Sequence, residues 1–504
     1  MLDKMPVLSI LIWLPVVTAI FVLFFGEKQA NKARWITLVS TLISLVFCLM
    51  MWLAFNVNIG EMQFTEFAAW IPTYKITYAL GVDGISMPMV VLTVFTTLII
   101  VLASWTMVTQ KVGQYLATFL IMQGMVIGVF AAVDAMLFYF FWEAMLIPMY
   151  LSIGVWGGAN RSYAAVKFFI YTFLGSALML IALLYLGLHA GGFSIAGFYQ
   201  EPMSLAVQKM VFWAFLLAFA IKVPMWPVHT WLPDAHTEAP TGGSVVLAAL
   251  MLKLGAYGFL RFSLPIVPDA CRYYVWLMVV LSLISIVYIG LVAIAQKDMK
   301  RLIAYSSVAH MGFVTLGCFM VFLILQQTGN INDAYMSMEG SVVQMISHAF
   351  GSGAMFLAFG VLYRQLRTHD ITHFGGIATK MPVLAAFFML FALSNVGLPG
   401  TSGFVGEFMI ILSSIQASFW VTAIAASTLV IGVAYTFWMY KRVFFGKVVN
   451  AKVAALKPAK PIEILAFSLL ALGILWIGIY PNALLTVLHA SVNHLLELSR
   501  VTKL

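Results

Sequence analysis

About fourteen stretches of roughly twenty predominantly apolar residues recur along this 504-residue chain, separated by short polar turns. Each is about long enough to cross the ~30 Å hydrocarbon core of a bilayer as a helix. Within that core only helices and closed barrels satisfy their own backbone hydrogen bonds. The stretches lie near residues 5–25, 34–55, 85–109, 113–133, 135–156, 163–188, 206–225, 244–262, 274–295, 302–325, 342–363, 383–412, 418–441 and 463–488. A water-soluble fold has no place to hide them: 63% of the residues are hydrophobic and 9% charged, against about 25% charged in soluble domains. The expected fold is an all-α polytopic membrane protein. The N-terminal run lacks a small-residue cleavage site and reads as a first span, not a removable leader. Cys48, Cys271 and Cys318 are scattered and offer no CxxC, iron–sulfur or c-haem spacing.

The net charge of +9 would suit a nucleic-acid partner, but its placement points elsewhere. Loops after odd-numbered spans carry 18 of the 27 lysines and arginines, from Lys28 to Lys460. The opposite side carries 7: Lys4, Lys75, Lys209, Arg261, Arg272, Arg500 and Lys503. Only Lys222 and Lys253 are left unassigned to either side. By the positive-inside rule the richer side is cytoplasmic and both termini face outward. The basicity is mostly an anchoring pattern and gives no support to nucleic-acid binding.

The chain also echoes itself. Pro224 and Pro399 each break an apolar span, 175 residues apart; "SALMLIA" from 176 resembles "SGAMFLA" from 352; Ala256-Tyr257 resembles Ala434-Tyr435. The near-constant offset predicts two five-span units, spans 4–8 (residues 111–265) and spans 9–13 (residues 266–445). They are flanked by residues 1–110, holding spans 1–3, and residues 446–504, holding a loop and span 14. An odd span count inverts the second copy. Matching interrupted spans, here 7 and 12, mark the ion or substrate site of a transporter.

Buried charges sharpen that expectation, since one at mid-bilayer costs about 2.5–3.5 kcal/mol on insertion scales. Glu143 lies nine residues beyond Asp134 in "AVDAMLFYFFWEAMLIPMY", roughly 13–14 Å further along a helix. Lys253 is too deep to snorkel. Lys222 stands at the first break, where Pro224 removes a donor and frees carbonyls; Glu407 follows the second. His310 and His348 lie on adjacent spans, and histidine is the residue type whose unperturbed charge change falls near neutral pH. The bland alternatives are structural ion pairs, hydrogen-bonded histidines, or paired axial haem ligands. His229 and His236 flank Asp234, and His369 and His373 are spaced i, i+4; both groups lack a third convincing metal ligand and read as polar loop packing. The spread of Glu143, Lys222, Lys253, His310, His348 and Glu407 over both units suits a polar wire along the membrane plane better than one solute cavity.

"FYFFWEAMLIPMYLSIGVWG", the run "KVPMWPVHTWLPDAHTEAPTGGSVVLAALMLKLGAYGFLRF", "IAYSSVAHMGF" and "LPGTSGFVGEFMI" resemble the antiporter-like membrane subunits of respiratory complex I across nearly the whole chain. The M-type branch is the nearest pattern. The residue after the span-12 break is glutamate where L and N types usually carry lysine, and the chain ends soon after span 14. The resemblance implies a Glu143–Lys222 pair, a connecting Lys253, central His310 and His348, and an exit at Glu407, serving proton translocation driven by redox chemistry elsewhere. It implies no cofactor or metal in this chain. NADH, FMN, iron–sulfur clusters and quinone belong to partner subunits, with L- and N-type subunits as neighbours in a bacterial inner membrane. Rival readings are a subunit of a Mrp-type Na⁺/H⁺ antiporter or membrane-bound hydrogenase, a stand-alone secondary transporter, and a scaffold whose charges only hold helices together.

Overall fold

The computed structural model describes residues 5–25, 27–448 and 450–504. Among them are twelve helices long and apolar enough to cross a membrane, and three shorter apolar helices, Val7–Leu23, Pro382–Asn395 and Ser402–Ser414. Three long helices form the centre: Thr241–Ile266, Met299–Thr328 and Ile331–Leu366 are buried almost throughout. The flanking helices Ala30–Ala54 and Phe419–Phe444 turn most of their apolar surface outward, including Leu53 and Val430. Polar side chains on the central helices therefore meet protein, not lipid.

Two helix interruptions sit where the prolines predict them. The helix Leu205–Lys222 stops at its lysine, and the chain turns before resuming as Trp231–Glu238. Pro224 and Pro227 donate no backbone hydrogen bond, so carbonyls are freed, and the indole Nε1 of Trp231 donates to the Ile221 carbonyl at 2.8 Å. The second interruption separates Pro382–Asn395 from Ser402–Ser414. Gly397 and Gly400 occupy it with φ of +72° and +90°, a region that side-chain-bearing residues rarely adopt.

Three features depart from the sequence expectation. An all-α chain was expected, but Gln63–Ile71 and Ile76–Val82 pair as an antiparallel hairpin. The segment is aromatic and β-branched, too short to span, and turned by Pro72 with Lys75 at φ +56°. The last apolar run, expected as one span over 463–488, is two helices, Pro461–Ile479 and Asn482–Arg500. Pro481 cannot continue the first. The second buries Leu484, Val487, Leu488, Val492, Leu495 and Leu496, a helical stripe that packs along the bundle. Finally, the helix Thr241–Ile266 contains two π-helical turns, Leu247–Met251 and Phe259–Ser263, on either side of the segment bearing Lys253.

Loop contacts sort into two sets, as alternating spans require. Loops after odd-numbered spans meet one another: Met299 N donates to the His369 carbonyl, and Lys457 N to Gln365 at 2.9 Å. On the other face the hairpin, the segment 190–204 and the Asn482–Arg500 helix form a cap. Acids pin it. Asp134 caps its own helix and accepts from Thr77; Glu66 accepts from Leu8 N at 2.7 Å; Asp269 accepts from Lys503 N at 2.9 Å.

Candidate functional site

The site begins at the Thr241–Ile266 helix. Lys253, fully buried, reaches back along its own helix, and its ammonium donates to the Ala248 carbonyl at 2.5 Å. The π-helical turn lies under that contact, and such turns leave carbonyls available to side chains. The same ammonium lies 2.6 Å from Nδ1 of His348 on the next-but-one central helix. The rings of His348 and His310 follow, centroids 5.9 Å apart. Nδ1 of His310 meets the Glu407 carboxylate at 2.6 Å, which also accepts from Gln344 at 2.9 Å. Glu407 folds back toward its own helix break, where a Cβ on Gly397 would stand 3.3 Å from Oε2. Four of the six sequence candidates thus form one line, Lys253–His348–His310–Glu407, with a short hydrogen bond at each end, while the two histidines meet only ring to ring and their Nε2 atoms are buried without a hydrogen-bonding partner among the described residues.

Glu143 and Lys222 stand together at the other end. Their charges interact, but no direct hydrogen bond joins them: Glu143 Oε1 and Lys222 Nζ are buried without a hydrogen-bonding partner among the described residues. The Lys222 ammonium faces the rings of Trp142 and Phe168, at 5.0 and 6.0 Å from their centroids. Aromatic faces attract a cation but do not replace hydrogen bonds. Glu143, half-buried beside Tyr139 and Ser176, opens into an apolar flank cavity of about 500 Å³ with Trp70 and Phe173 in its wall.

Sequence reasoning assigned His236 to polar loop packing. The structure places it fully buried, stacked on Phe356 at 4.4 Å, with both ring nitrogens lacking a partner among the described residues. Its charged neighbours are Lys300 and Lys253. Lys300, counted above as a loop residue, is also buried; it donates to the Ala239 carbonyl at 2.5 Å and lines a cavity with Glu238 and Thr241 on the lysine-rich face. Tyr435, in the echo noted above, is buried beside Glu407. Glu339 is a further buried acid, hydrogen-bonded by Tyr335 at 2.9 Å. Hydropathy hides such groups, because one polar side chain scarcely alters a twenty-residue average. Of the remaining loop candidates, Asp234 pairs with Lys167 at 2.7 Å and Arg301 at 2.6 Å, His369 packs on Tyr363 near Asp298, and His229 is buried with Nδ1 lacking a partner among the described residues.

A helical bundle with two interrupted helices and a buried line of lysine, histidine and carboxylate defines a membrane protein of the ion-translocating, antiporter-like class. The chain belongs to the NADH:quinone oxidoreductase/Mrp antiporter transmembrane family, whose model matches residues 132–433. It is similar to NADH-quinone oxidoreductase subunit M of Rickettsia typhi, 42% identical over 501 residues and covering 98% of this chain and 99% of that protein. Among solved structures it resembles a chain of respiratory complex I from Thermus thermophilus with bound NADH, with TM-score 0.87, 30% identity, and 98% and 100% of the two chains covered. A chain of the Mrp complex from Dietzia sp. superposes with TM-score 0.86 at 18% identity, covering 98% and 97%, a likeness of fold alone.

Proposed function

We propose that this chain is a proton-translocating membrane-arm subunit of NADH:quinone oxidoreductase, and that protons move through Glu143, Lys222, Lys253, His348, His310 and Glu407. The full-length similarity to subunit M and the likeness to complex I support the first part. The observation that carries the second is the hydrogen-bonded pair of pairs, Lys253–His348 and His310–Glu407, in the most buried part of the bundle.

The geometry gives each group a role. An ammonium on Lys253 donates, so Nδ1 of His348 accepts. Transfer breaks a Lys253 N–H bond and forms His348 Nδ1–H, while His348 releases the proton on Nε2. The neighbouring His310 takes it on Nε2, directly or through one water, and gives up Nδ1–H to the Glu407 carboxylate. Each imidazole receives on one nitrogen and releases from the other, which a lysine with its single nitrogen cannot do. His236 and Lys300 connect the line to the cytoplasmic cavity. Glu143 and Lys222 set the field at the near end: an anion beside Lys222 keeps its proton, and separating the pair frees that proton toward Lys253. Electron transfer, with NADH, flavin, iron–sulfur clusters and quinone, takes place in partner subunits.

The same reading counts fourteen crossings. Val7–Leu23 is one, the interrupted pair Pro382–Asn395 and Ser402–Ser414 is another, and the twelve long helices supply the rest. Residues 111–265 and 266–445 are the inverted five-span units, each broken at its fourth span. The lysine-rich loops face the cytoplasm of a bacterial inner membrane, and both termini lie outside. The L- and N-type subunits flank the chain, one of them covering the apolar cavity at Glu143.

The test is NADH-driven proton uptake in inverted membrane vesicles, normalised to assembled complex. Glu407→Asp retains an ionisable acid and keeps most activity; Glu407→Gln loses much of it. Lys222→Arg fails, because a guanidinium with pKa above 12 does not release its proton. Full pumping in both Glu407→Gln and Lys222→Ala, with assembly intact, would leave the scaffold reading standing.

A further inference from the structure

A second buried ion pair lies on the same helix as Lys253 and outside the line just described. Arg261 is eight residues further along, about 12 Å at helical rise. Its NH2 meets Asp83 Oδ2 at 2.6 Å, and both side chains are almost wholly buried. The guanidinium Nε also donates to the Tyr257 hydroxyl at 3.3 Å, which donates onward to the Phe130 carbonyl at 2.9 Å. The other oxygen of Asp83 accepts from Ile85 N, Ser86 N and the Ser86 hydroxyl. Arg261 is thus fixed by the turn that leads into the Ser86–Met107 helix and by a tyrosine of its own helix. Above it opens a cavity of about 480 Å³ on the cap face, lined by Glu61, Asp83, Tyr199, Arg261, Ser491 and His494. The cavity floor and the proton line therefore share one helix, with Arg261 and Tyr257 between them.

We propose that Arg261, clamped by Asp83, is the seal that separates the outer cavity from Lys253 and stops protons running back into the line. A guanidinium is never deprotonated under working conditions, so it cannot relay a proton. Its fixed positive charge repels an incoming one, as positive charges do in pores that exclude protons. Asp83 holds that charge across the opening and, like Glu66 and Asp134, also caps a helix. The purely structural alternative, a staple between two helices, needs the pair but not the sign of the charge. The sealing role requires the positive charge itself. This inference rests on the proposed path through Lys253 and on the outward placement of the cap.

The experiment uses the whole complex reconstituted in liposomes, without NADH. A potassium diffusion potential drives protons, and a trapped pH dye reads their entry. Removing a unit charge about 12 Å from Lys253 is expected to raise passive proton conductance about tenfold in Arg261→Gln. NADH oxidation is not slowed, but the steady pH gradient falls. Arg261→Lys restores a tight membrane. Asp83→Asn, which leaves the cation in place and removes its counter-charge, conducts no more than the unsubstituted complex. Adding Lys253→Ala to Arg261→Gln abolishes the leak. Unchanged conductance in Arg261→Gln, or an equal leak in Asp83→Asn, overturns the seal. Should Arg261→Gln not assemble, cysteine labelling with an impermeant cationic thiol reagent from the cap side decides. His494→Cys reacts and Lys253→Cys does not; labelling of Lys253→Cys with Arg261 present overturns the proposal. Unimpaired pumping in Lys253→Ala would sink the path reading instead, and the conductance of Arg261→Gln alone would still judge the seal.

Discussion

Gly397 shows how tightly the buried line is tied to the backbone. Its φ of +72° belongs to the left-handed region, where a side-chain-bearing residue pays roughly 1–2 kcal/mol. Its missing Cβ leaves room for the Glu407 carboxylate to turn toward His310. Gly397→Ala is therefore expected to strain the break and push the acid off its histidine together. Assembled complex should still form, but NADH-driven proton uptake should fall by more than the loss in assembly explains. Gly400→Ala is the control. Its φ is also positive, yet open space surrounds it, so it should show the backbone cost with little loss of pumping per assembled complex. Equal losses in the two variants would mean that the glycine at 397 serves only the turn.

The C-terminal helix is one element that sequence reasoning missed, and one acid holds its end. Burial alone would raise the pKa of Asp269. The hydrogen bonds from Lys503 N and Gln208, with the Arg272 charge, outweigh that and hold its pKa below the usual carboxylate value. A folded-state pKa below the unfolded one stabilises docking above about pH 4, and that contribution disappears as pH falls through the lowered value. Hydrogen exchange of residues 482–504 in the solubilised complex should therefore accelerate on acidification below about pH 4, before the central helices respond. Asp269→Asn should reproduce that faster exchange at neutral pH and remove its acid dependence. Exchange that stays slow in Asp269→Asn would show that the apolar stripe alone docks the helix. Much else at this scale was legible: the long helices followed from apolar length, and both interruptions from proline. The hairpin and the docked helix were not, because a hydropathy window does not separate crossing a membrane from lying against a protein. The π-helical turns themselves leave no clear compositional mark: Leu247–Met251 suits an ordinary helix, and the helix-weakening Gly255 and Gly258 lie between the turns, not in them.

For the molecule as a whole, the contacts of the buried line are a property of the closed bundle. Lys253, His348, His310 and Glu407 come from four separate helical segments, so their contacts form only when the whole bundle closes. The sequence supplied each residue and its depth, but not the order in which they touch, because neighbours 95 and 97 residues apart are set by helix packing. The same packing brought in His236 and Lys300, which their local sequence had assigned to loops. If protons pass in series, blocking any station blocks the rest. Lys253→Ala and Glu407→Gln should each reduce proton uptake strongly, and the double variant should pump no worse than the poorer single, a non-additivity expected of groups that act together. Independent sites would instead multiply their losses. NADH oxidation measured beside proton uptake tells whether redox work is held back by the blocked line. Multiplying losses in the double variant, with the complex fully assembled, would mean that Lys253 and Glu407 serve separate paths despite the two histidines between them.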